Sequence, residues 1–192
     1  MKTIILLGYK KRAGKDTVAK MLKEKLPNSE IIHFADALKE IIATTLDIDV
    51  EALDYFKNNN YELEWKYGSI SFRKLLQRFG TEAMKPIFGN NVWARIVRQK
   101  IEDSNKDFII IPDFRFKEEY EYLLTGFYNN LITVKVERDL NICEDSHSSE
   151  KDLEDFEFDL QVNNLGTLDD LKYAVDEFLV PTILDIHYRK RW

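Results

Sequence analysis

The sequence of 192 residues predicts an α/β fold from two apolar runs and the segments around them. The first run, at residues 4–7, leads into a basic loop bounded by glycines and then into an amphipathic stretch. The second run, at residues 108–111, has no polar position, which is typical of a strand covered on both faces. Alternation of such strands with amphipathic helices along the chain indicates an α/β domain.

Composition limits the function classes. Apolar content of 44% and charged content of 32% are ordinary for a globular protein with a substantial core. A formal net charge of −6 argues against a general nucleic-acid binder. The single cysteine allows no internal disulfide, and no apolar run approaches the length of a membrane span. We therefore expect a cytoplasmic protein that binds neither nucleic acid nor a membrane.

The loop after the first strand has the features of a phosphate-binding loop. Backbone N–H groups in such a loop and at a helix N-terminus carry partial positive charge and cradle a polyphosphate. Gly14 lets the backbone approach the phosphate, Lys15 adds a charge near the β/γ oxygens, and Thr17 offers a hydroxyl to magnesium. The predicted phosphate contacts are Lys11, Arg12, Ala13, Gly14, Lys15, Asp16 and Thr17.

The loop departs from the standard pattern in two places. Five residues separate Gly8 from Gly14 where four are usual, so either Tyr9 replaces the first glycine or the loop is one residue longer. Asp16 follows Lys15 where Ser or Thr is usual. The alternative is a basic loop that merely opens a helix, but Gly-Lys-Asp-Thr directly after a buried-type strand favours phosphate binding.

The next elements suggest contacts for a second substrate. A helix is predicted at 18–26, a strand at 31–35 and a further helix at 37–42 with Asp36 as its N-cap. Ligands of α/β proteins bind where strand ends face a shared crevice, so Asp36 and Lys39 are candidate substrate contacts. The alternative for Asp36 is a plain helix cap.

Residues 44–70 are the least regular part of the chain. A short helix is predicted at 51–56 and a turn at 58–60. Little chemistry can be read from this segment, and we interpret it as an insertion that covers the crevice.

An amphipathic helix is predicted at 72–79, capped by Ser71 and ended by Gly80. Arg73 and Gln77 lie four residues apart on one flank of it. Arginine forks onto oxyanions and glutamine offers both a donor and an acceptor, so the pair suits a phosphate and a base edge. The alternative is an ordinary solvated flank.

Asp113 and Arg115 follow the buried strand at 108–111. A carboxylate at the C-terminal end of a central strand, beside a phosphate loop, is placed to hold magnesium or to orient an acceptor. Arg115 can neutralise charge on a transferred group. The alternative for Asp113 is a cap on the helix that starts near Phe116.

A further strand is predicted at 131–136, and Arg138 lies at its end. Arg138 is interpreted either as a contact to ATP phosphates or as a surface ion-pair residue, and both interpretations stay open. The following segment, 139–159, is acidic and contains His147, for which a surface position is the alternative to a functional one.

The last predicted strand, at 158–162, is followed by a helix that Thr167 caps. Asn163, Asn164 and Gly166 lie between them, where an adenine edge could meet amide and backbone groups.

Six segments, in this order, resemble the phage deoxynucleoside monophosphate kinases: 14–17, 34–39, 72–82, 112–115, 147–150 and 163–167. The resemblance runs from the first strand to about Leu171. It implies a P-loop kinase fold, a three-layer sandwich whose central parallel sheet is flanked by helices. It also implies ATP with Mg2+ as the donor, and a deoxynucleoside monophosphate as the acceptor that becomes a diphosphate.

The resemblance implies one nucleoside monophosphate kinase domain over 1–192. Its core would comprise 1–43, 105–138 and 156–192, with a helical NMP-binding insertion at about 44–104 and a short lid at about 139–155. A homodimer is left open, and the compartment would be the host cytoplasm if a phage encodes the chain. The resemblance assigns Lys15 to the ATP phosphates, Thr17 to magnesium, Asp113 to the metal or the acceptor, and Arg73, Gln77 and Arg115 to the acceptor. Together with the candidates given above, the predicted roles are catalysis for Lys15, Asp113, Arg115 and Arg138, metal binding for Thr17 and Asp113, cofactor binding for Asn163, and substrate binding for Asp36, Lys39, Arg73, Gln77, Arg115 and His147.

Two other functions compete with this one. The first is another small P-loop kinase, such as a dephospho-coenzyme A kinase, against which the Arg73/Gln77 and Asp113/Arg115 pairs argue. The second is a nucleotide-binding regulatory module without turnover. Retention of Lys15, Thr17 and Asp113 together argues against a module of that kind.

Overall fold

A computed structural model of the chain describes residues 2–127, 130–138 and 152–189. Two compact units are present: residues 1–33 with 97–192, and residues 34–96. His147 and most of the predicted lid at 139–155 lie outside the described residues.

The first unit is built on a five-stranded sheet in which all strand pairs are parallel. Numbered in chain order, its strands are β1 (Thr3–Gly8), β2 (Ser29–Ile31), β5 (Phe108–Ile111), β6 (Leu131–Glu137) and β7 (Leu160–Asn163). Their spatial order is β2-β5-β1-β6-β7. All residues of β1 and β5 are buried, which explains the continuous apolar runs at 4–7 and 108–111. The predicted α/β fold with a central parallel sheet is confirmed.

Helices flank this sheet and complete its core. They are α1 (Lys15–Lys25), the C-terminal part of α6 (Val92–Asp103), α7 (Lys117–Phe127), α8 (Leu168–Ala174) and α9 (Val180–Arg189), with a π-helical segment, Val175–Leu179, joining α8 to α9. Val18 and Leu22 of α1 and Ile183 of α9 pack with Ile5 and Val134 of the sheet in one buried cluster. None of the helices described in either unit is long and apolar enough to span a membrane.

A buried polar contact links α9 to β1. The hydroxyl of Thr3 lies 2.7 Å from Nδ1 of His187, and each residue is only 1% exposed. The His187 ring also packs on Phe108, with the ring centroids 4.5 Å apart. The contact ties the last described helix to the first strand.

Thr3→Val is expected to destabilise the protein because it leaves Nδ1 of His187 buried without this partner. A lost buried partner costs about 1–3 kcal/mol, which corresponds to a fall in Tm of about 5 °C in a protein of this size. Thermal unfolding followed by circular dichroism measures the change. Thr45→Val makes the same substitution at an exposed helical position and should leave Tm nearly unchanged. Equal Tm values for the two variants would contradict the assigned role of Thr3.

The second unit combines helices with a β-hairpin. Its elements are α2 (Asp36–Leu46), α3 (Val50–Asn58), β3 (Glu62–Trp65), β4 (Gly68–Ser71), α4 (Phe72–Gln77), a π-helical segment (Arg78–Met84), α5 (Lys85–Phe88) and the start of α6. Ile42, Leu53, Phe72 and Leu76 form its buried core. The antiparallel hairpin lies in the segment for which the sequence predicted no regular strand.

The strand predicted at 31–35 is wrong in its position. The strand β2 ends at Ile31, although the Ile32 N–H still donates to the Ile110 carbonyl at 3.0 Å. The next ladder bond would need an N–H from Pro112, which has none, so the pairing stops there. The chain then turns, and Ala35 rather than Asp36 occupies the N-cap of α2.

The predicted helix end at Gly80 is also wrong. The helix continues through the π-helical segment and α5 until Gly89, whose φ of 94° marks a helix end. Gly80 is explained by packing instead, because a Cβ there would lie 2.9 Å from Cδ2 of Leu38. The Gly80 carbonyl also accepts a hydrogen bond of 3.1 Å from Nε1 of the buried Trp93.

Candidate active site

The loop between β1 and α1 has an unusual backbone. Tyr9, Arg12 and Gly14 have φ values of 92°, 61° and 97°. Left-handed residues within a turn bring successive N–H groups to one side and make an anion-binding concavity. The loop ends at Gly14, the N-cap of α1, where the helix dipole adds positive potential. This backbone is suited to binding phosphate oxygens.

The Lys15 ammonium is held inside this loop. Its side chain is buried, with 8% of the residue exposed, and Nζ donates to the carbonyls of Tyr9 at 3.1 Å and Lys10 at 2.6 Å. These two carbonyls stabilise a full positive charge at the N-terminus of α1. The ammonium is therefore fixed between the loop and the first turn of α1.

Tyr9 adopts a backbone conformation that is strained for a residue with a side chain. Contacts to its ring compensate for the strain. The Phe158 ring packs edge-on at 6.5 Å between centroids, and Nζ of Lys135 lies 4.2 Å from the Tyr9 ring centroid. Tyr9 thus takes a glycine-like φ at the position where the standard loop has glycine.

Asp113 lies at the carboxyl edge of the sheet beside the loop. Leu6 of β1 pairs with Ile111 of β5, so Asp113 is two residues past this pair, as Gly8 is on the neighbouring strand. Asp113 is half-buried. A carboxylate is thereby brought to the level where the phosphate loop begins.

The turn after Asp113 is stabilised by a buried glutamate. Oε2 of Glu119 accepts from the N–H groups of Arg115 at 2.9 Å and Phe116 at 3.1 Å. These bonds satisfy two N–H groups just before the start of α7. The Arg115 residue is exposed.

Arg138 and Asn163 lie farther along the same edge. Glu137 pairs with Asn163, and Arg138 is the exposed residue that follows. The side-chain oxygen of Asn163 accepts from Nε2 of Gln161 at 2.7 Å. Asn163 is exposed, whereas the next residue, Asn164, is buried and contacts the loop directly. Sequence reasoning grouped the two asparagines together, but their side chains have different surroundings.

Two residues of the first turn of α1 differ in their environment. A carboxylate oxygen of the exposed Asp16 lies 3.9 Å from Nε2 of His33, and the interaction with His33 is the main cause that lowers the pKa of Asp16. Lys15 and Lys20 lower this pKa to a smaller extent. Asp16 is therefore ionised at neutral pH, while Thr17 is half-buried in the same turn.

The oxygen donors beside the loop fit magnesium. Mg2+ prefers oxygen ligands and is usually held by one or two protein side chains together with substrate phosphates and water. The Thr17 hydroxyl and the Asp113 carboxylate supply donors of this kind. Within the described ranges no three His, Cys, Asp or Glu side chains form a metal cluster, so a fully protein-ligated site is not seen there.

A family model described as deoxynucleotide monophosphate kinase matches residues 48–175 of the chain. The match spans well over half of the 192 residues. The chain belongs to the deoxynucleotide monophosphate kinase family. The resemblance noted in the sequence is thereby confirmed. The matched range starts after the phosphate loop, so the loop geometry is an observation independent of the match.

Two of the solved structures with a similar fold are kinases by name. The alignment with a gluconokinase from Sinorhizobium meliloti 1021 covers 98% of this chain and 97% of that chain, with 12% identity and a TM-score of 0.51. A sugar kinase from Janibacter sp. HTCC2649 has 16% identity and a TM-score of 0.50, and the alignment covers 97% of this chain and 95% of that chain. TT1252 from Thermus thermophilus has 15% identity, a TM-score of 0.52 and coverage of 94% and 97%. At these identities the likeness shows the fold alone. A comparison with curated proteins gives no match.

The remaining predicted contacts of this kinase lie in the second unit. Arg73 and Gln77 are both exposed on α4, one helical turn apart. The ammonium of Lys39 donates to Oδ2 of Asp54 at 2.8 Å, and Lys57 donates to the other oxygen of the same carboxylate.

Lys39 is thus part of an ion-pair cluster. Burial raises the pKa of Asp54, but hydrogen bonds from Lys39 and Lys57 outweigh this effect and hold the pKa below its ordinary value. Asp36 lies in the first turn of α2, one turn before Lys39. A substrate contact by Lys39 would therefore compete with Asp54.

Proposed function

We propose that this kinase transfers the γ-phosphoryl group of ATP to a deoxynucleoside monophosphate, giving a deoxynucleoside diphosphate and ADP. One observation carries the proposal. This chain belongs to a kinase family, and its Lys15 is held inside a loop of phosphate-binding geometry at a helix N-terminus. The family supports the kinase class, and the loop would bind the phosphates of the donor.

The loop would act mainly by positioning. Phosphoryl transfer requires alignment of the two substrates and neutralisation of charge on the transferred group. Loop N–H groups and Lys15 would bind the β- and γ-phosphates of ATP, with the ammonium exchanging the carbonyls of Tyr9 and Lys10 for phosphate oxygens. The exchange is favourable because a charged acceptor binds an ammonium more strongly than a neutral carbonyl does.

Thr17 and Asp113 would hold the magnesium that accompanies ATP. The bound ion neutralises charge on the β- and γ-phosphate oxygens. Asp113 has a second candidate role in orienting the acceptor phosphate through its partners. Arg115 and Arg138, both exposed at the same sheet edge, would supply further positive charge.

The second unit would bind the acceptor. Arg73 suits the monophosphate, since a guanidinium donates two parallel hydrogen bonds to an oxyanion. Gln77 offers an amide to a base or sugar edge. Asp36, Lys39 and His147 are proposed as further substrate contacts, and His147 lies outside the described residues.

Arg73→Ala is expected to raise KM for the acceptor about 10- to 100-fold while KM for ATP stays the same. The range corresponds to loss of one charge-assisted hydrogen bond. Steady-state kinetics with each substrate varied in turn measures both constants. Arg78→Ala removes an exposed arginine of the adjoining π-helical segment that pairs with Glu82 at 3.1 Å, and it should change neither KM. An unchanged acceptor KM in Arg73→Ala would remove Arg73 from the acceptor site.

The proposed reaction is tested by ADP release from ATP and magnesium with a panel of ribo- and deoxyribonucleoside monophosphates. Release with one or more deoxynucleotides is expected and names the accepted base. Dephospho-coenzyme A and gluconate belong in the same panel, and selective release with either would replace the proposed acceptor. Binding of ATP without product from any acceptor would indicate the regulatory module instead.

A further inference from the structure

Asn164 is fixed at the end of the sheet beside the phosphate loop. It follows the last residue of β7, and its backbone N–H donates to the Glu137 carbonyl at 2.7 Å, which extends the ladder between β6 and β7. Only 8% of Asn164 is exposed, whereas its neighbours Asn163 and Leu165 are exposed. The side chain therefore points into the protein from a rigid element.

The amide of Asn164 is in direct contact with the loop. Nδ2 donates to the carbonyl of the buried Ala13 at 2.9 Å. The same nitrogen packs against the next residue, because a Cβ on Gly14 would lie 2.5 Å from it. Gly14 is required here by close packing as well as by its φ of 97°.

This contact sets the direction of one peptide group. In a trans peptide the C=O and the following N–H point in opposite directions. The hydrogen bond turns the Ala13 carbonyl towards Asn164, so the Gly14 N–H points away from Asn164. No other side-chain bond to the Ala13 carbonyl is seen within residues 2–127, 130–138 and 152–189.

We infer that Asn164 is a positioning residue of the ATP site, holding the Ala13–Gly14 peptide so that the Gly14 N–H faces the bound phosphates. The inference rests on the proposed role of the loop in binding ATP. Asn164 itself touches only the loop, and it acts by keeping one backbone donor preorganised. Loss of the side-chain donor frees this peptide to rotate, and the phosphates lose a fixed hydrogen bond.

Two variants separate positioning from packing. Asn164→Leu keeps comparable bulk against Gly14 but cannot donate, and Asn164→Ala removes both bulk and donor. We expect both to weaken ATP binding about tenfold, the effect of losing one hydrogen bond to a charged group. Isothermal titration calorimetry with ATP and magnesium chloride, without any acceptor, measures Kd directly. If Asn164 only fills space, Asn164→Leu will bind ATP as the wild type does.

Thr3→Val is the matched control because it loses one buried hydrogen bond at the opposite end of β1. It should lower Tm without changing the Kd for ATP. Wild-type Kd in a folded Asn164→Leu variant overturns the inference, and so does an equal change of Kd in Thr3→Val. If Asn164→Ala does not fold, the comparison of Asn164→Leu with Thr3→Val decides alone.

The same measurements distinguish this inference from the proposed reaction. A wild type that binds ATP but phosphorylates no deoxynucleoside monophosphate, with weaker binding in Asn164→Leu, would overturn the reaction and support the positioning role. If the wild type and Asn164→Leu both phosphorylate a deoxynucleotide and bind ATP with equal Kd, the proposed reaction is supported and the positioning role is overturned. A wild type that binds no ATP would overturn both.

Discussion

Lys15→Ala is expected to lower the turnover of the kinase by about 10²-fold or more. One preorganised charge at the transferred phosphate contributes several kcal/mol at the transition state. In this structure the charge is held by the carbonyls of Tyr9 and Lys10 before any phosphate binds, so little reorganisation is needed. Measurement of kcat and of KM for ATP, with the best acceptor of the panel, gives the size of the loss.

The control is Lys25→Ala, at the other end of the same helix. The exposed Lys25 pairs with the half-buried Asp176 at 2.9 Å, at the end of α1 away from the loop, so its loss leaves the charge at the loop unchanged. Lys25→Ala should retain turnover within about twofold of the wild type, as expected for a surface change. Wild-type turnover in a folded Lys15→Ala variant would remove Lys15 from the mechanism.

The sheet could be predicted because two of its interior strands, β1 and β5, contain long apolar runs. Residues of β1 and β5 are buried on both faces, and the sequence records this as two uninterrupted runs. The edge strand β2 is short and only partly buried, so its sequence signal is weak. Its end depends on Pro112, which directly follows β5, and this is a tertiary constraint that a local pattern does not contain.

The hairpin of the second unit escaped prediction for a related reason. The strand Glu62–Trp65 alternates polar and apolar residues over only four positions, and Leu63 is the one that is partly buried, so its sequence signal is short. Gly80 led to the prediction of a helix end that the structure does not have. A glycine after an amphipathic helix usually indicates its end, but this one makes room for Leu38 inside a helix that continues.

The candidate site shows the same difference between features set by local sequence and features set by tertiary contacts. Gly14, Lys15 and Thr17 form a contiguous motif, and local sequence was sufficient to predict the loop that the structure contains. Asn164 lies 151 positions away from the Ala13 carbonyl that it binds, and nothing in the sequence joins the two. In the structure, buried and exposed residues alternate at 162–164, but the two adjacent asparagines give no sequence signal that only Asn164 is buried.

Asp113→Asn is expected to reduce kcat by about 10²-fold, because it removes one negative charge at a reacting centre while keeping the shape of the side chain. The register of β1 with β5 brings Asp113 to the level of Gly8, where the loop begins. The two candidate roles of Asp113 give different responses to magnesium. If the carboxylate holds the ion, a higher Mg2+ concentration will partly restore kcat. If it orients the acceptor, kcat will stay low at every Mg2+ concentration.

Asp107→Asn is the matched control, because Asp107 directly precedes the same strand at its opposite end. Its carboxylate accepts from Nδ2 of Asn28 at 3.0 Å on the surface, far along β5 from the loop. The variant should keep the wild-type kcat and magnesium requirement. A wild-type kcat in Asp113→Asn at every magnesium concentration would exclude a catalytic role for the carboxylate. Lys15 and the arginines at the sheet edge would then have to neutralise the charge on the transferred group alone.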